Sequence, residues 1–174
     1  MQQNESFLID DFSSAQRTSA VGTEWRMFTD RVMGGVSDAT SAMETIEGRR
    51  CLHLKGRVSL ENNGGFIQVA LPLALGGRPF DAGIFKGVRV WVRGNVKTYH
   101  IHLRTGQTRQ PWQFFSASFK AGYGWQAVEL PFDRFKPENL RAKLDTKGLE
   151  RIALVAIGEE MDADVAISRL EFYR

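Results

Sequence analysis

Two glycine-bearing stretches carry the residue types from which binding loops are made. The first runs Trp25-Arg26-Met27-Phe28-Thr29-Asp30-Arg31-Val32-Met33-Gly34-Gly35-Val36-Ser37, and the second Glu61-Asn62-Asn63-Gly64-Gly65-Phe66. Paired glycines allow positive φ and close backbone approach, while Asn and Asp side chains bond to nearby amides and fix a loop's shape. This is chemistry for recognition: Trp25, Asp30, Met33, Gly34, Gly35 and Ser37 join Asn62, Asn63, Gly64, Gly65 and Phe66 as the first candidate binding set. Tight turns between strands use the same residues, so the pattern names no ligand. A phosphate cradle is excluded, because no Lys-Ser/Thr follows Gly34-Gly35 and no helix opens there.

A second set comes from alternation. His100, His102 and Arg104 recur at every second residue, as do Arg89, Trp91 and Arg93 in the preceding segment. On strands, each trio faces one side, and two paired strands would merge them into one surface. An aromatic platform beside hydrogen-bonding side chains can hold a sugar, so Trp91, His100, His102 and Arg104 are the candidate residues for carbohydrate binding. The His-x-His pair has no third ligand at a sensible spacing, and no zinc site is expected. Asp10, Asp11 and Glu171 near the chain ends would suit calcium if those ends pair, although strand-end acids are commonly just solvated. For catalysis, Ser37, Asp30 and Asp38 lack a neighbouring histidine, since His53, His100 and His102 all fall in strand-like segments. No catalytic residue and no cofactor is expected, and the chain reads as a binding module, not an enzyme.

Strands must position these residues. Short windows of period-two hydrophobicity, divided by Gly, Asn, Asp or Pro, fall at 7–9, 25–28, 52–55, 66–71, 88–93, 99–104, 113–119, 126–130, 152–157 and 165–173. About ten strands suit two packed sheets, an all-β sandwich. The segments 88–93 and 99–104, separated by Gly94-Asn95, are expected to form a hairpin. Pro131 to Pro137 reads as a turn-rich connection and 140–144 as one helical turn. Trp112, after Gln110-Pro111, sits in a loop where an aromatic can anchor a partner.

The 174 residues, 43% hydrophobic, fill one core, so a single domain over 1–174 is expected. Cys51 alone forms no disulfide and reads as a packed thiol in a reducing compartment. The net charge of +3 comes from interspersed acids and bases without a Lys/Arg tract, which argues against nucleic-acid binding. The N-terminal Met-Gln-Gln-Asn-Glu-Ser lacks the basic segment and apolar stretch of a leader, and no apolar run is long enough for a membrane span; no leader, and a cytoplasmic protein without membrane insertion, are expected.

The run from Asp30 to Ser37 after Trp25, with Val58-Ser59-Leu60-Glu61-Asn62-Asn63-Gly64-Gly65-Phe66, resembles the complex I intermediate-associated protein family, the thirty-kilodalton assembly-factor type. Segments 87–94, 99–104, 125–132, 135–137 and 167–172 follow in the family's order, so the resemblance covers nearly the whole chain. It implies a galactose-binding-like jelly-roll β-sandwich and a non-catalytic, chaperone-like role. The implied partner is a protein, an intermediate in the assembly of respiratory complex I (NADH:ubiquinone oxidoreductase). A glycan is the alternative partner, and the oligomeric state is open. Fold can be inherited where function is not.

Overall fold

The computed structural model describes residues 5–174; Met1 to Asn4, the start of the segment read above as no leader, lie outside the described residues. The described residues form a jelly-roll β-sandwich of twelve strands: β1 (Phe7–Asp10), β2 (Arg26–Thr29), β3 (Asp38–Ile46), β4 (Arg49–Val58), β5 (Phe66–Pro72), β6 (Gly87–Gly94), β7 (Lys97–Thr105), β8 (Phe114–Ala121), β9 (Gln126–Pro131), β10 (Lys136–Glu138), β11 (Leu149–Ile157) and β12 (Met161–Tyr173). Sheet I has the order β3-β4-β12-β6-β9, with β1 also on β12; sheet II runs β10-β8-β7-β11-β5-β2. All pairings are antiparallel. None of the described helices is long and apolar enough to cross a membrane.

Alternation builds the core. Val88, Val90 and Val92 of β6 point inward from sheet I, and Tyr99, Ile101 and Leu103 of β7 point inward from sheet II. They meet Ile67, Val69, Leu71, Phe115, Ile152, Leu154, Val165 and Ile167 in one continuous cluster. Strand β12 holds sheet I together: residues 161–167 pair with β4, 165–173 with β6, and 170–172 with β1. Burial pushes the Cys51 thiol up to about 11, consistent with a packed, unreactive side chain.

Three sequence expectations change. Strands β6 and β7 are not a hairpin: β6 lies between β12 and β9 in sheet I, whereas β7 lies between β11 and β8 in sheet II. The chain turns a corner between sheets at Asn95 and Val96, where Val96 has φ 67° and the Tyr99 hydroxyl donates to Asn95 Oδ1. Both segments alternate because each lines the core, and alternation alone does not say from which side. Strand β3 has Met43 as its one large residue packed on the core, beside the small Ala39 and Ser41, and β10 contains Pro137, so neither shows in the hydrophobic pattern. The expected helical turn at 140–144 is irregular chain instead.

Candidate functional site

The two glycine loops meet on one carboxylate. Asp30 opens a single 3-10 turn, Asp30–Met33, between β2 and β3, and its side chain is completely buried. Its Oδ1 accepts the Ser37 amide at 2.9 Å, and its Oδ2 accepts the Ser37 hydroxyl and the amides of Gly65 (2.6 Å) and Phe66 (3.4 Å). The Ser37 hydroxyl in turn accepts the Ser59 amide at 2.9 Å. Burial alone would raise the Asp30 carboxyl, but the Ser37 hydroxyl and the three amides outweigh it and hold it below its usual value. The result is an anion satisfied by charge-assisted bonds that staples two loops more than thirty residues apart.

The glycines follow from this arrangement. In each pair, one glycine has a positive φ, Gly34 at 88° and Gly65 at 129°, and the other, Gly35 or Gly64, lies so close to Asp30 that an added Cβ would run into its carboxyl. Asn62 and Asn63 both occupy the left-handed region, at φ 57° and 59°, and Asn62 Nδ2 reaches the Gly34 carbonyl at 3.3 Å. Arg31 ties off the turn, donating from Nε to the Ser37 carbonyl at 2.9 Å and from Nη2 to Asp38 Oδ1 at 2.7 Å. Most of this set is therefore frame. What the frame holds into solvent is apolar: Val32 is 71% and Met33 56% exposed, Val36 is exposed on the same loop, and Leu60 is exposed at the start of the second loop. Val32, Val36 and Leu60 were not in the sequence-derived set, although all three stand inside the quoted runs.

Trp25 is not at this surface. Its ring is buried against Phe12, and its indole nitrogen donates to Asp10 at 2.7 Å. Asp10 is thereby occupied. Burial raises its carboxyl above the ordinary range, against the pull of the Trp25 hydrogen bond. Glu171 accepts from Arg89 at 2.8 Å, Arg169 at 3.0 Å and Ser6 at 3.2 Å. The chain-end acids are thus tied to protein donors, and among the described residues no group of His, Cys, Asp and Glu has the arrangement of a metal site.

The sugar-binding set divides between sheets. Trp91 is on the outer face of sheet I under the Arg169 guanidinium, 5.9 Å from the ring centre, so it cannot join the histidines of sheet II. Arg104 is committed to the following loop, donating to the carbonyls of Thr108, Gln110, Pro111 and Gln113 at 2.9–3.1 Å. His100 and His102 do share the outer face of sheet II, with ring centres 6.1 Å apart. His102 stacks on Phe114 at 3.9 Å, a partner that the sequence reading missed. Burial drives the His102 imidazole down to about 3, helped by His100 and Arg104, so the ring is neutral. Ser116 Oγ lies 3.2 Å from His100 Nδ1, but among the described residues no carboxylate hydrogen-bonds that ring to complete a catalytic triad. The loop residue Trp112 is exposed and its carbonyl accepts from Asn139.

Solved structures share this architecture. A family 11 carbohydrate-binding module of the cellulosomal cellulase Lic26A-Cel5E of Clostridium thermocellum superimposes with a TM-score of 0.73 at 9% identity, over 98% of this chain and 95% of that one. The Clostridium thermocellum family 11 module in complex with a β-1,3-1,4-mixed-linked tetrasaccharide gives 0.72 at 9% identity, over 98% and 96%. A mutant of the family 29 carbohydrate-binding module CBM29-2, complexed with mannohexaose, gives 0.59 at 11% identity, over 99% and 93%. At such identities the likeness is one of fold. None of the curated proteins compared with the chain matches it in sequence. The model of the family Complex I intermediate-associated protein 30 (CIA30) matches residues 11–166, which take in both glycine loops and most of both sheets, and the chain belongs to that family.

Proposed function

We propose that this protein is a non-catalytic, chaperone-like module that binds a protein partner through the apolar tips of its two stapled loops, and that the partner is an intermediate in the assembly of respiratory complex I. The observation that carries the reading is Met33 and Val32 held in solvent on a loop anchored by a fully buried carboxylate. Exposed apolar side chains lose little entropy on docking when their loop is already fixed, which is how a small patch gains affinity. Family membership supports this class of partner. The Ser37 hydroxyl donates to Asp30 and is spent on the frame, which favours binding over chemistry.

The test is a pull-down from respiring cells with the full chain and a Val32→Asp/Met33→Asp double variant, reading complex I subunits by mass spectrometry. Recovery by the wild type and loss by the variant is the expected result. Equal recovery by both would remove the loops from the site, and no subunit recovered by either would overturn the reading.

A further inference from the structure

We propose that the outer face of sheet II is a second binding site, and that it takes a neutral polyhydroxylated chain, a glycan, laid across the strands. This goes beyond the loop-tip reading and uses a different surface, so either can fail without the other.

The registers place Ser116, His102, Ala153 and Ala70 in one row across β8, β7, β11 and β5, and Ser118, His100, Val155 and Gln68 in the next. Apart from the imidazoles and Gln68, these are small residues. The rows on either side are large: Arg104 and Arg151 at one end, Ile157 and Phe66 at the other. The middle of the face is therefore low and its ends are high, a trough running across four strands. Its length is three inter-strand spacings, roughly 14 Å. Ala70, Ala153 and Val155 point away from the core yet are buried, and with Phe28, Phe66 and Ile157 they form an apolar cluster separate from the main one. The described strands all belong to the two sheets, so no third layer of strands lies over this cluster.

The polar groups in the trough define what would fill it. His102 Nε2 is a buried nitrogen without a hydrogen-bond partner, and of the three such side-chain atoms among the described residues it alone is on sheet II. Ser116, Gln68 and a neutral imidazole each both donate and accept, as a sugar hydroxyl does. The eight residues of these two rows include no carboxylate or cation; the registers set Arg26 of β2 beside Ala70 and Lys136 of β10 beside Ser116, so charge stands at the two ends of the first row and the floor between them is neutral. The rings of Phe66 and Phe28 offer flat apolar surface for the C–H face of a pyranose. A purely apolar ligand would leave His102 and Gln68 unpaired, and a polar ligand without an apolar face would leave the half-buried rings of Phe28 and Phe66 uncovered. Trp91 and Arg104 take no part in this site.

The experiment is an NMR titration of the full chain with the β-1,3-1,4-mixed-linked tetrasaccharide and, separately, with mannohexaose. It would be run on the wild type, Ser116→Tyr, His102→Phe and the Val32→Asp/Met33→Asp variant. The wild type is expected to bind at least one sugar with a Kd of about 1 mM or tighter, with the His100 and His102 ring signals shifting. Filling the trough with Ser116→Tyr should weaken binding at least about tenfold, whereas the loop-tip variant should bind like the wild type. Should His102→Phe prove poorly folded, Ser116→Tyr alone decides, because it replaces a half-buried surface side chain. No shift with either sugar at millimolar concentration, undiminished binding by Ser116→Tyr, or loss of binding in the loop-tip variant would each overturn the assignment.

Discussion

Asp30 shows how one side chain can account for a motif. The Gly-Gly pairs and Ser37 attract notice as loop-forming residues, yet their types follow from a carboxylate that must be wrapped closely and given four donors. Asp30→Ala removes that acceptor and leaves buried amides unpaired, so it should lower stability by about 3 kcal/mol, read as a reduced urea midpoint at unchanged m-value. Gly64→Ala should act in the same direction through the collision with Asp30. His102 supplies a pH signature. Its folded value is pushed from 6.5 to about 3, so between these pH values the unfolded chain takes up the proton that the folded chain refuses. Its share of stability is complete above about 6.5 and drains as pH falls toward 3; Asp30, held below its usual value, adds a loss of the same sign lower down. His102→Phe should flatten the decline above pH 4 in thermal melts collected as a function of pH, and an unchanged slope would refute the assignment.

Among the elements, each of the ten segments with a hydrophobic alternation is a strand, because half-burial writes itself into sequence at a period of two. The two further strands are edges whose sequences carry little of that signal. Strand β3 turns the small Ala39 and Ser41 toward the interior, with Met43 its one large inward side chain, too few to make an alternation, and β10 is three exposed residues around Pro137. The Asp30 staple was equally hidden, since no local pattern says that the amides of Gly65 and Phe66 approach from a different strand. The same limit explains the misplaced Trp91 and Arg104: parity gives the face of a strand but neither its sheet nor its side-chain partners. Strand β3 depends on one glycine. A Cβ at Gly56 of β4 would collide with the Asp38 backbone, so Gly56→Val should detach the start of β3. Hydrogen exchange is expected to accelerate at amides 38–42 while those of β12 stay protected; uniform protection would show that β3 tolerates the side chain.

Over the whole molecule, pairings join segments distant in sequence. Residues 7–10 lie against 170–172, and β5 is bridged to β7 only through β11. Such a topology folds slowly, because loop closure precedes most contacts. Removing residues 161–174 would take away the partner of β1, β4 and β6 at once, and the remaining chain should show no cooperative thermal transition. A cooperative melt in the truncated chain would mean that sheet II with the rest of sheet I is self-sufficient. Strand β12 is also the last of the twelve to be translated. While a ribosome is still making it, sheet I has no centre, and the inward residues of β4, β6, β7 and β11 have nothing to close upon. A nascent chain stalled before Met161 should therefore be bound by holdase chaperones and cut readily by protease, becoming resistant only after β12 has emerged. A protein proposed to help others assemble would itself need shelter until its twelfth strand has left the ribosome.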